Sequence, residues 1–146
     1  MSRLAASAVL AFTVGCSGDW LTGPGTPLEL SHESLKGRWV HTMAEITMVA
    51  NPSVVKRFRH STDKGSILEF DGAGGVDHAR VSVDGGANLP FQYTIRGDTL
   101  TLSFDYLAEV STSRLVLTVR GVPYDFDGDG NREDAVGVQT YQKARD

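Results

Sequence analysis

The sequence predicts an all-β domain, an antiparallel up-and-down barrel, and three observations carry that prediction. Short apolar stretches with alternating polarity recur from residue 35 onward. Turn sequences rich in glycine and aspartate separate them at regular intervals, and no long segment places its apolar residues at helical spacing. An up-and-down meander of such strands can close on itself and so remove the exposed edges that invite aggregation.

The strands follow in order. Over residues 37–49, Trp39, His41 and Met43 fall on one side and Val40 and Thr42 on the other, a period of two. Asn51-Pro52-Ser53 breaks this run, and residues 54–59 return antiparallel to it. Further strands are expected at 66–70, 76–83, 89–96, 99–104, 106–110, 114–122 and 135–143. Asp71-Gly72-Ala73-Gly74-Gly75, Asp84-Gly85-Gly86 and Gly97-Asp98 supply residues that tolerate positive φ between them. Arg96-Gly97-Asp98 spells an adhesion tripeptide, but its local chemistry is that of a hairpin turn.

Ahead of the strands lie two segments of different character. Arg3 and the amino terminus precede an apolar run, residues 4–14, of roughly eleven residues, which suits an export signal. About twenty apolar residues are needed to span a bilayer, so the run is a targeting signal and not an anchor helix. Residues 17–27 are rich in Gly, Ser, Thr and Pro, and Gly23-Pro24-Gly25-Thr26-Pro27 is expected to hold neither helix nor paired strand. Trp20 and Leu21 are placed to rest at a membrane interface or on the domain. The expected organisation is therefore a signal at 1–15, a flexible linker at 16–34 and one β domain at 35–146.

Thr13-Val14-Gly15-Cys16 resembles the lipobox of bacterial lipoproteins, and Cys16 is the only cysteine. The resemblance implies cleavage before Cys16, acylation of its thiol and a membrane partner reached through the lipid. Ser17, in place of an aspartate that would retain the protein at the inner membrane, implies the outer membrane of a bacterial cell envelope. A single cysteine permits no disulfide within the chain, so stability has to come from the core or from a bound ion.

The domain itself resembles the lipocalin-like barrels. Leu35-Lys36-Gly37-Arg38-Trp39 matches their Gly-x-Trp opening, in which the Trp closes the barrel floor. Ile67-Leu68-Glu69-Phe70-Asp71-Gly72 is similar to a strand and turn of that family, as is the hairpin from Tyr93 to Leu102. Tyr141-Gln142-Lys143 resembles its closing strand. The resemblance implies an interior or mouth that takes a small apolar ligand or an envelope partner, or else a filled barrel acting through its surface.

The most specific chemical motif is Asp125-Phe126-Asp127-Gly128-Asp129-Gly130-Asn131-Arg132-Glu133. Calcium takes six to eight oxygens, and carboxylates at alternate positions of a tight turn can gather around one ion. Asp125, Asp127 and Asp129 occupy positions one, three and five, Asn131 can offer its carbonyl, and Glu133 stands at position nine. Val136 replaces the bidentate glutamate that an EF-hand needs at position twelve. The turn instead resembles the Asp-x-Asp-x-Asp-Gly-x-x-Asp calcium turns of extracellular β proteins. Asp134 is an alternative donor one residue out of register, and Arg132 is the only cation within the motif to offset its charge. Calcium in a structural role is the expected cofactor.

Enzymatic signals are poor. No Gly-x-Ser-x-Gly elbow or His-Glu-x-x-His helix occurs, and His32, His41, His60 and His78 are scattered. The protein is therefore expected not to be an enzyme. A formal net charge of −4 without a dense basic run argues against nucleic acid as a partner. Lys56, Arg57, Arg59 and His60 form the nearest thing to a basic patch and, with Phe58 among them, read as the solvated side of a strand. The lipoprotein expectation is checked by mass spectrometry of the membrane fraction, which should find an acylated peptide beginning at Cys16. Cys16→Ser should release the protein into the soluble fraction, and an unmodified Cys16 in an uncleaved chain would contradict it.

Overall fold

The alternating stretches become strands. The structure, a computed structural model, describes residues 25–59, 66–72, 78–82 and 89–145. Its elements in chain order are β1 (Pro27–Leu28), α1 (His32–Leu35), β2 (Gly37–Met48), β3 (Val55–Arg59), β4 (Ile67–Phe70) and β5 (His78–Ser82). There follow β6 (Leu89–Gln92), β7 (Thr94–Arg96), β8 (Thr99–Thr101), β9 (Asp105–Ser111), β10 (Arg114–Tyr124) and β11 (Glu133–Lys143). Cys16 and its signal, Trp20, Leu21, His60 and the Asp84-Gly85-Gly86 turn lie outside the described residues. Among the described residues no helix is long and apolar enough to cross a membrane.

Every pairing is antiparallel, and nine strands run side by side in the order β6-β5-β4-β2-β11-β10-β9-β8-β7. To this path β9 adds β1, and β2 adds β3. The expected closed barrel is corrected here, because the ladder stays open. β6 and β7 end the path on opposite sides, yet they are consecutive in the chain and only Tyr93 separates them. A hairpin needs about two turn residues, so strands joined through one residue cannot fold back and pair. They run on instead. The stretch 89–96, expected as one strand, splits at Tyr93, and its first part pairs with β5 while its second pairs with β8. The sheet therefore curls until its two ends meet at that tyrosine.

The core fills the inside of this curl. Leu35, Trp39, Leu68, Phe70, Tyr93, Leu100, Ala108, Val110, Leu115, Leu117 and Tyr141 form one buried cluster. Trp39 is wholly buried, and its indole Nε1–H donates to the Leu35 carbonyl at 2.6 Å, which satisfies its only polar atom. The Lys143 ammonium stands 5.2 Å from the centre of the indole. Gly37, at φ 116°, is where the chain can make this approach, since a Cβ there would meet Lys143 Cε at 3.3 Å. The tryptophan of the Gly-x-Trp sequence is thus part of the buried core.

Two irregularities re-aim side chains. Thr42 is an extra residue in β2, between the pairs Tyr141 with His41 and Thr140 with Met43. The alternation expected to put Met43 beside Trp39 and His41 therefore breaks. His41 stays inside, ring to ring with Tyr141 at 5.0 Å, and Met43 turns to the opposite face with Thr140. Gly121, at φ 71°, plays the same part in β10, between the pairs of Arg120 with Val136 and Val122 with Ala135.

The stretch read as linker is ordered from Gly25 onward. Thr112 N–H donates to the Thr26 carbonyl at 3.0 Å, and Pro27 and Leu28 pair with Ser111 and Val110. This departs from the expectation that Gly-Pro-Gly-Thr-Pro excludes pairing. Pro27 opens its strand, a position where the missing N–H is tolerated. Ser31 then caps α1, its hydroxyl accepting the Ser34 N–H at 3.0 Å while Ser34 returns the bond to the Ser31 N–H. His32 Nδ1 lies 3.0 Å from the Tyr93 hydroxyl, which ties the helix to the point where the sheet ends meet.

Removing the indole would leave a void in the core. Trp39→Ala is expected to lower stability by roughly 3 to 5 kcal/mol in urea unfolding followed by circular dichroism. A loss below about 1 kcal/mol would show that the core does not rest on this ring.

Candidate functional site

The β10–β11 hairpin carries the acidic motif on its connecting turn. Tyr124 pairs with Glu133, so eight residues, Asp125 to Arg132, bridge the strand ends. Phe126 is buried and meets Tyr124 edge to face at 4.9 Å, which pins the start of the turn to the sheet. Gly128 at φ 78° and Gly130 at φ 90° take the left-handed conformations that reverse the chain. A Cβ at either would meet nothing within 4 Å, so the backbone alone demands glycine there.

The carboxylates are aimed by backbone N–H groups. Asp125 accepts from Gly128 N at 2.7 Å with one oxygen and from Gly130 N at 2.9 Å with the other. Asp127 accepts from Asp129 N at 3.1 Å, and Asp129 from Asn131 N at 2.7 Å. Each bond fixes an oxygen while leaving further lone pairs on the carboxylate. One oxygen each from Asp125, Asp127 and Asp129 falls within 4.8 Å of the others, a grouping that can hold a metal ion.

The charges respond to this crowding. The Gly130 N–H is the largest influence on Asp125 and, with the Gly128 N–H, holds its carboxyl below the usual range. Asp129 is also lowered, first by the Asn131 side chain at 2.9 Å and then by the Asn131 backbone N–H. Asp127 moves the other way. The Asp129 N–H pulls it down, but lost water contact and the neighbouring charges of Asp129 and Glu133 outweigh that bond and raise it. Like charges held this close are relieved by a bound cation.

The other expected ligands stand differently. Glu133 Oε2 accepts the Phe126 N–H at 3.1 Å, across the base of the turn. Asn131 gives both its backbone and side-chain N–H to Asp129. The structure thus gathers the three aspartates, while Asn131 bonds to Asp129 and Glu133 to the Phe126 backbone.

A second site was not legible in the sequence. β1 and the Gly97-Asp98 turn of the β7–β8 hairpin lie along the same edge of β9, Leu28 opposite Val110 and Asp98 accepting the Ala108 N–H at 2.9 Å. Where they diverge, a cavity of about 580 Å³ opens over β9 and β10. Leu28, Leu30, Val110 and Val116 supply its apolar lining, and Glu29, Asp98, Glu109 and Arg114 its charges. The spacing of Leu28 and Leu30 was the available signal, masked by the prolines and glycines just before it.

The histidines stand on separate elements among the described residues: His32 in α1, His41 in β2 and His78 in β5. No protein-family model matches the chain, and no match is found among curated proteins or solved structures.

Proposed function

We propose that the protein is a lipid-anchored cell-envelope binding module that takes a small apolar ligand in the groove beside β1. A calcium ion held by Asp125, Asp127 and Asp129 would pin the β10–β11 turn. The observation that carries this reading is the groove: about 580 Å³ is within the range of small-molecule sites, and its lining mixes aliphatic side chains with a few polar groups. Trp39, Phe70, Leu35, Leu100, Leu115 and Leu117 are wholly buried, and the groove beside β1 is the described space with room for a ligand, which supports placing the site there. Three carboxylates against one guanidinium at its margin favour a neutral or cationic ligand over a fatty anion.

The packed core also supports a second reading, a structural or assembly lipoprotein that binds no small ligand and acts through its surface. The two readings differ in what they expect of the groove. A neutral fluorescent probe, N-phenyl-1-naphthylamine, should bind the parent, and Leu28→Asp or Val116→Arg should weaken it by about tenfold. Absence of binding to the parent, or binding indifferent to both substitutions, would reject the groove as a site and favour the second reading.

Calcium is favoured over magnesium because an exposed, all-oxygen turn offers neither rigid octahedral geometry nor help in stripping magnesium of water. An affinity of about 10⁻⁴ to 10⁻³ M is expected, typical of extracellular modules. At ten times the dissociation constant the ion would then add about 1.4 kcal/mol by mass action. Thermal melts in millimolar calcium and in chelator should differ for the parent and coincide for Asp127→Ala. A parent melt unchanged by calcium would reject the ion, and a shift that survives Asp127→Ala would put it elsewhere.

A further inference from the structure

β3 reverses the sign of the chain locally. The protein carries a formal net charge of −4, yet Lys56, Arg57 and Arg59 place three cations within the five residues of this strand. All three side chains are exposed, and so is Phe58 between them. Among the described residues β3 pairs only with β2, and no described strand stands at its other edge. Arg57 is held by Glu45 at 2.7 Å, and among the described residues no hydrogen bond or ion pair engages Lys56 or Arg59. Val49, at the hairpin tip before β3, is half exposed.

We propose that the β2–β3 hairpin is a docking edge for an anionic phospholipid surface. Register with β2 puts Lys56 and Phe58 on one face of the sheet and Arg57 and Arg59 on the other. No flat partner can meet both faces, but a surface approached by that other edge can. Long cationic side chains from either face then bend toward the headgroups while their methylene stems stay against apolar groups. The backbone groups of the edge meet hydrated headgroups, and Phe58 and Val49 supply apolar insertion at the boundary. Charge complementarity and an exposed ring in the same strand distinguish this edge from a merely protective one, for which lysine and arginine alone suffice. A nucleic-acid strand would call for several stacking rings along a basic groove, whereas β3 offers one.

The contact is independent of the acyl anchor, and its test removes that anchor. The full chain carrying Cys16→Ser is sedimented with vesicles of phosphatidylcholine alone or with added phosphatidylglycerol. Chelator is present, so that no ion bridges the acidic turn to lipid. The apolar run at residues 4–14, with Arg3 and the amino terminus before it, gives a background on anionic lipid that is common to every variant, so the comparison of variants carries the test. Partition should favour the phosphatidylglycerol vesicles and fall with added salt, about fivefold for each surface cation screened or removed. Lys56→Glu combined with Arg59→Glu should cut the preference to that background, and Phe58→Ser should reduce it. Circular dichroism shows that the double variant folds, and Lys56→Gln with Arg59→Gln repeats the test without reversing charge. Equal partition on the two lipids, no salt dependence, or a preference that the double substitution leaves unchanged would overturn the proposal. Self-association through β3 without any lipid preference would overturn it in favour of a second copy of the chain.

Discussion

The chain passes from one end of its sheet to the other through a single residue. Because Tyr93 alone separates β6 from β7, strands that are farthest apart in the hydrogen-bonded order are held one residue from each other. The nine-strand path has no choice but to bend around a common interior. The same residue supplies part of that interior: its ring meets Phe70 edge to face at 5.0 Å, and its hydroxyl meets His32. Topology and packing are joined at this point, which explains how a ladder that never closes can still enclose a core.

From that constraint follows the division between inside and outside. The curl brings β4, β8, β9, β10 and β11 to bear on Trp39, and the interior closes with aromatic and leucine side chains. Cavity space appears where two short pieces, β1 and the β7–β8 hairpin, share the edge of β9 without meeting. Tyr141 lies deep in the packed region, where burial chiefly, with the charge of Tyr106 behind it, pushes its hydroxyl well above the ordinary tyrosine range. The neutral hydroxyl donates to Gln139 at 2.8 Å, as a buried polar tip requires.

Charge is segregated along the same end of the sheet. The Val49 N–H donates to the Asp134 carbonyl at 2.9 Å, so the β2–β3 tip and the strand leaving the acidic turn are neighbours. The aspartate cluster and the cationic strand thus belong to two hairpins joined by this bond, on a small protein with no disulfide within the chain to stiffen it. A cation on the turn and lipid headgroups on the edge would each relieve like charge that the fold concentrates.

The sequence by itself determined the local structure. Alternation located β2 and β3, and glycine with aspartate located the Gly97-Asp98 turn, because side-chain period and turn conformation are set by neighbours along the chain. The alternate spacing likewise put Asp125, Asp127 and Asp129 together, since the turn is too short to hold them apart, whereas the Glu133 carboxylate, also expected there, bonds to the Phe126 N–H. Tertiary structure alone decided the rest. Whether the meander closes depended on the break at Tyr93, which leaves each half of residues 89–96 paired with its own neighbour along the chain, β5 on one side and β8 on the other. The face taken by Met43 depended on an extra residue tolerated opposite Tyr141, and the pairing of Pro27 on an edge that β9 left open. Non-local hydrogen bonding made the last two choices, and it leaves no period in the chain from which it could be read.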